Sequence, residues 1–143
     1  MEPPDTVPEK VVAFDWDGTL NNTPVTHGND PAIMRGQVCD LTPLHAVMAS
    51  GHRVAIMTAG DPLFVLGRLL DRKVPAFADT AMEHKVPPSA GMVMVTNRKV
   101  LADVYVDDRA LRWRFGMDAS VIERTMRDIT PVRRTWRRLW RHR

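Results

Sequence analysis

Val11-Val12-Ala13-Phe14-Asp15-Trp16-Asp17-Gly18-Thr19-Leu20 is the stretch whose reading decides the fold. Val11 to Phe14 form an unbroken apolar run, the pattern of a buried parallel strand, and Gly18 breaks it into a tight turn. A parallel strand delivers its last side chains to the carboxyl edge of its sheet, where open α/β folds bind ligands. Asp15 and Asp17 are therefore expected together on that edge. Two carboxylates held there repel unless a cation sits between them or one keeps a proton. Both conditions suit a Mg²⁺-dependent site in which one aspartate is a nucleophile and the other an acid. An ordinary Asp-Gly turn after a strand fits the same residues.

Outward from this stretch, strand and helix patterns alternate. Leu20 to Gln37 is rich in Asn, Thr, Pro and Gly and has no sustained period, the length and composition of a functional loop. Thr42-Pro43 starts a helix with Leu44, Val47 and Met48 on one face and Gly51 as its stop. Arg53 to Met57 is a second buried strand running into Thr58-Ala59-Gly60. Asp61 caps the next helix, Pro62 takes its first position, and Leu63, Leu66, Leu69 and Leu70 recur at helical spacing. Met92 to Val95 reads as a third strand, and Ala102 to Val106 as a fourth that runs directly into Asp107-Asp108. A capping box from Ser120 to Glu123 opens a last helix carrying Val121, Ile122, Thr125 and Ile129. The alternation argues for a parallel sheet covered on both faces. Residues 1–9 are expected to be a flexible N-terminus, 10–130 one α/β domain, and 131–143 an Arg/Trp-rich tail.

Composition bounds the setting. The 143 residues, 44% hydrophobic and 26% charged, are those of one ordinary globular domain. The start of the chain lacks the basic-then-apolar stretch of a signal peptide, and no apolar run approaches the about 18 residues that span a bilayer. Cys39 is the single cysteine, so no intrachain disulfide forms and a reducing compartment, the cytoplasm, is the expected location. The net charge of +3 hides an asymmetry: eight arginines face only Glu123 and Asp128 between Val121 and Arg143, a local +6, whereas residues 1–120 carry −3. The high isoelectric point belongs to the tail, not to the body.

Parallel strands point one way, so the residues that follow them should converge on one rim. Asp15 and Asp17, Thr58, Lys99, and Asp107 with Asp108 then make a coherent set. Carboxylates are the ligands Mg²⁺ prefers, and a hydroxyl and an ammonium can hold a phosphoryl group. Each has a plain alternative: a cap for Thr58, a solvated Lys99, a turn at Asp107-Asp108.

With these four features in place, the chain resembles the haloacid dehalogenase-like (HAD) phosphohydrolase superfamily. Asp15-Trp16-Asp17-Gly18-Thr19-Leu20 matches the first motif, DxDGT. Val54-Ala55-Ile56-Met57-Thr58 fits the second, a strand ending in Thr or Ser. Lys99 stands at the distance of the third, with Lys85 as its competitor, and Val104-Tyr105-Val106-Asp107-Asp108 fits the fourth. The resemblance spans roughly Val11 to Phe115. It implies a three-layer Rossmann-like domain without a large cap, since only about forty residues separate Thr58 from Lys99. It also implies a phosphatase mechanism: Asp15 attacks phosphorus, Asp17 acts as acid then base, and Thr58 and Lys99 bind the phosphoryl oxygens. Mg²⁺ would be held by Asp15, the Asp17 carbonyl and Asp107, with Asp108 supporting the shell or orienting Lys99. Gly60 departs from the pattern, standing where many relatives carry a polar substrate contact. A capless site would suit a bulky phosphorylated substrate such as a nucleic-acid end, a nucleotide or a phosphoprotein, or an oligomer in which a partner subunit serves as lid.

Two other classes fit less well. A signalling receiver domain would need its phosphorylated aspartate on a strand between the first acidic pair and the Thr, and none is there. A non-enzymatic adaptor would not need Asp15, Asp17 and Lys99 intact. In the tail, Val132, Trp136, Leu139 and Trp140 form an apolar stripe among arginines. It could pack on the domain, grip nucleic-acid phosphates, or meet a membrane surface or protein partner. His27, His45, His52, His84 and His142 lack metal-ligand spacing and read as surface or packing residues.

Overall fold

β-Branched and small apolar residues set the strands. The computed structural model describes residues 9–22, 38–112 and 114–128. The elements are β1 (Val11–Asp15), a single turn over Trp16–Leu20, α1 (Thr42–Ala49), β2 (Arg53–Met57), α2 (Pro62–Asp71), β3 (Ala76–Ala78), β4 (Val93–Thr96), β5 (Val104–Val106) and α3 (Ser120–Asp128). The strands form one five-stranded sheet in the order β3-β4-β2-β1-β5, and every pairing is parallel. This is an α/β fold with a Rossmann-like layout.

Register divides the core cleanly in two. Phe14 lies beside Ile56 and Val106, and Ile56 beside Val95. This row, with Val12, Val54 and Val93, packs against Leu44 of α1 and Val65 and Leu69 of α2. The alternate row holds Ala13, Ala55 and Met94, packed with Val100 and flanked by Phe77 and Ala102. Ala13 and Ala55 are short, so the connection after β4 can cross this face close to the sheet.

Chain direction explains the two faces. From β1 through β2 to β3 the chain moves one way across the sheet, and from β3 through β4 to β5 it returns. Right-handed crossovers in opposite directions must use opposite faces. The outward crossovers are α1 and α2. The returning ones are irregular: residues 79–92, then the extended segment 97–103, joined where the Leu101 N–H donates to the Lys85 carbonyl (2.9 Å). The expected third layer is thus made of extended chain, because seven residues must pass from the end of β4 to the start of β5. Asp103 fastens that arrival, its carboxylate accepting the Val11 N–H (2.8 Å).

Several expectations are corrected. β3 had no counterpart in the sequence reading, being three residues long and two-thirds Ala. The expected third strand, Met92 to Val95, is β4 at Val93–Thr96, and the fourth shortens to Val104–Val106. In α2 the buried stripe is Pro62, Val65 and Leu69, whereas Leu63 and Leu70 are 58% and 51% exposed. The helix meets the sheet through a β-branched residue rather than along a leucine ridge. Asp61 does cap α2, accepting the Leu63 N–H (2.9 Å). At α3 the start is organised by Asp118, which accepts the Ser120 N–H (2.9 Å), two positions before the expected Ser120 cap. Among the described residues no helix is long and apolar enough to cross a membrane. The expectations for residues 1–8, for the 23–37 part of the long loop, and for the tail 131–143 lie outside the described residues.

Candidate active site

The D-x-D spacing works through strand alternation. Trp16 is buried in the core beside Leu20, while Asp15 and Asp17 stand partly exposed at the end of β1. The turn closes through the Asn21 N–H to the Trp16 carbonyl (3.1 Å), and the Asn21 side chain accepts the Gly18 N–H (3.2 Å). Gly18 has φ +79°, the left-handed region that favours glycine. A β-carbon at Gly18 would also displace the Asp108 carboxylate.

β5 brings the second acidic pair to the same edge. The Asp108 N–H donates to Thr19 Oγ (3.0 Å), and the Thr19 hydroxyl donates to Asp15 Oδ2 (3.4 Å), a relay that ties β5 to β1. Asp107 accepts the Arg109 N–H (2.7 Å), which fixes its carboxylate in a local turn. One carboxylate oxygen each from Asp15, Asp107 and Asp108 lie within 4.8 Å of one another. Burial, then the charges of Asp107, Asp108 and Asp17, push the Asp15 pKa from 3.8 up to about 7. Three clustered oxygen donors with one carboxyl so disfavoured as an anion fit a hard divalent cation such as Mg²⁺.

Asp17 belongs to a different subset. Its carboxylate receives the Thr58 hydroxyl (3.4 Å), and the Asn21 side chain and the Ala59 N–H also bond to it. Burial outweighs these bonds and raises its pKa. Thr58 is buried immediately beyond β2 and is anchored by its own N–H to the Thr96 carbonyl (3.0 Å). The Gly60 N–H donates to Thr58 Oγ (3.0 Å), so Gly60 shapes the site through its backbone. The carboxylate of Asp17 is not part of the acidic trio.

Lys99 lies over an aromatic ring of β5. Its ammonium lies 5.1 Å from the centre of the Tyr105 ring, a cation–π contact, and among the described residues it pairs with no carboxylate. The Tyr105 hydroxyl donates to the Val100 carbonyl (2.6 Å) and accepts the Ala102 N–H (3.2 Å), which holds the ring along the 97–103 connection. Lys85 is exposed, on the segment that this connection touches.

One buried acid on the same edge escaped the sequence reading. Asp79, directly after β3, accepts the N–H groups of Glu83 (3.1 Å) and His84 (3.0 Å) and the Arg98 guanidinium (3.1 Å). His84 Nδ1 lies 3.5 Å from Asp79, and its ring meets Phe77 edge-on. Burial alone would raise the Asp79 pKa, but the two N–H bonds, Arg98 and His84 together hold it below the usual carboxylate range. The available signal was Ala76-Phe77-Ala78-Asp79, a short apolar run ending in Asp, the pattern already read at Asp15. Compared with protein-family models, curated proteins and solved structures, the chain matches none of them.

Proposed function

We propose that this chain is a Mg²⁺-dependent phosphomonoester hydrolase of the HAD-like, capless kind, working through an aspartyl-phosphate. The observation that carries the reading is the division of labour on one sheet edge. Asp15 stands with Asp107 and Asp108 in a cation-sized cluster, and Asp17 stands apart from it on Thr58.

Asp15 attacks phosphorus, forming an O–P bond as the bond to the ester oxygen breaks. Asp17, whose proton affinity is raised by burial, gives a proton to the departing oxygen, then takes one from the water that cleaves the aspartyl-phosphate. The second step releases inorganic phosphate and restores both carboxyls. Thr58 positions Asp17 and offers its hydroxyl to the phosphoryl oxygens. Mg²⁺ held by Asp15, Asp107 and Asp108 would keep the nucleophile ionised and neutralise charge on the transferring group. Lys99, held over Tyr105 by a contact that is weak at an exposed site, binds the phosphoryl oxygens in this reading.

The test is turnover of p-nitrophenyl phosphate and a panel of natural monoesters by the purified chain in Mg²⁺. Activity should vanish in excess chelator and in Asp15→Asn. Turnover no greater than that of Asp15→Asn across the panel would overturn the reading.

A further inference from the structure

Past the acidic pair the sequence runs Arg109-Ala110-Leu111-Arg112-Trp113-Arg114-Phe115-Gly116, three arginines interleaved with two aromatics in a body that is otherwise net acidic. The structure gives residues 114–117 a definite form. The Met117 N–H donates to the Arg114 carbonyl (3.1 Å), closing a four-residue turn whose second central residue, Gly116, has φ +84°. Phe115 occupies the first central position and is 106% exposed, its ring wholly in solvent. Arg112 and Arg114 are exposed and form no ion pair among the described residues. Burial of apolar surface therefore does not account for Phe115, and charge neutralisation does not account for Arg112 or Arg114.

We infer that Arg112, Arg114 and Phe115 form a substrate-binding arm for the phosphorylated end of a single-stranded nucleic acid. This rests on the phosphohydrolase reading and names its substrate class. Aromatic faces on exposed turns stack bases, and arginines beside them track the phosphate backbone. Continuity with the catalytic edge supports this occupant. Phe115 is seven residues from Asp108, so its backbone lies at most about 25 Å from that of Asp108. With a terminal phosphate at Asp15, this segment lies within the span of the next few nucleotides. A free sugar phosphate has no base to stack and no second phosphate for Arg112 and Arg114. An acidic protein surface would use the arginines but leave the glycine-shaped aromatic tip without a role.

The experiment combines anisotropy of a fluorescent, terminally phosphorylated oligothymidylate with steady-state hydrolysis of that oligonucleotide and of p-nitrophenyl phosphate. Phe115→Leu should weaken oligonucleotide binding about tenfold, and Phe115→Trp should preserve it, since stacking needs a ring rather than apolar bulk. The Arg112→Ala/Arg114→Ala pair should lower the slope of log affinity against log salt by about 1.4, two contacts at about 0.7 each for a single strand. In both weakened variants the ratio of kcat/KM for the oligonucleotide to that for p-nitrophenyl phosphate should fall. Equal binding by Phe115→Leu and wild type, or an unchanged salt slope, overturns the inference even if p-nitrophenyl phosphate is turned over. Tight, ring-dependent binding without hydrolysis of either substrate upholds the arm and overturns the phosphohydrolase reading.

Discussion

The two ends of the sheet's carboxyl edge carry acids in opposite electrostatic states. At the β3–β4 end, Asp79 is buried and supplied with two N–H donors and a guanidinium, which hold its pKa down. At the β1–β5 end, Asp15 shares its space with Asp107 and Asp108, and its pKa is pushed up to about 7. Burial disfavours the anion at both places. The difference lies in what surrounds each carboxyl: donors in one case, further carboxylates in the other. A fold that gains stability from its charges builds the first arrangement. The second costs stability unless a ligand relieves it, which is the signature of a site.

The largest expected contrast comes from matched amides. Asp15→Asn should reduce phosphomonoester turnover by about a thousandfold or more, measured free of host phosphatase. In chelator at neutral pH or above it should also raise the melting temperature, because it removes an ionisation that the fold opposes. Asp79→Asn should do the reverse, lowering the melting temperature by several degrees while turnover per folded molecule persists. Parallel behaviour of the two variants would erase the distinction.

Next in size is the metal. Mg²⁺ at a hundred times its dissociation constant should stabilise the wild type by about 2.7 kcal/mol, read as a rise in melting temperature. Asp107→Ala should lose most of that rise and need much more Mg²⁺ for activity. An equal Mg²⁺-dependent rise in the variant would remove Asp107 from the site.

The acid limb of the stability curve sharpens the comparison further. A carboxyl whose folded pKa is depressed contributes stability above the unfolded value of about 3.9, and that contribution is lost as pH falls through the folded value. Asp79→Asn should therefore flatten the loss of melting temperature at low pH. Asp15 has the opposite sign: stability declines as pH rises from its unfolded value towards about 7, and Asp15→Asn should flatten that slope in chelator. The smallest effect separates the lysines. Lys99→Ala should lower kcat/KM by about tenfold and Lys85→Ala by less than about twofold, with both melting temperatures unchanged, since exposed lysines contribute little to stability.

The sequence was most readable where chemistry and periodicity coincide. The apolar runs of β1 and β2 appear within a residue of their observed ends, and Asp15, Asp107 and Asp108 meet as strand-end logic requires. Hydrophobic pattern failed at β3, where three residues carry too little signal, and in α2, where leucine spacing did not say which side meets the sheet. Asp79 was hidden because its partners, Glu83, His84 and Arg98, come from two separate loops. Lys99 was assigned by distance along the chain, which says nothing about a side chain's direction. The structure turns it onto Tyr105.

β5 has three residues, pairs among the described residues with β1 alone, and is the most exposed strand of the sheet. Few contacts resist its departure, so its amides should exchange with solvent well before those of β2 or β4. A cation gripping Asp15 on one side and Asp107 and Asp108 on the other would act as a rivet through that seam. Opening the strand would then require releasing the ion, and each event would set the energetic cost of the other. Hydrogen exchange at Val104–Val106 should slow as Mg²⁺ is added, in step with occupancy, while the sheet interior exchanges as before.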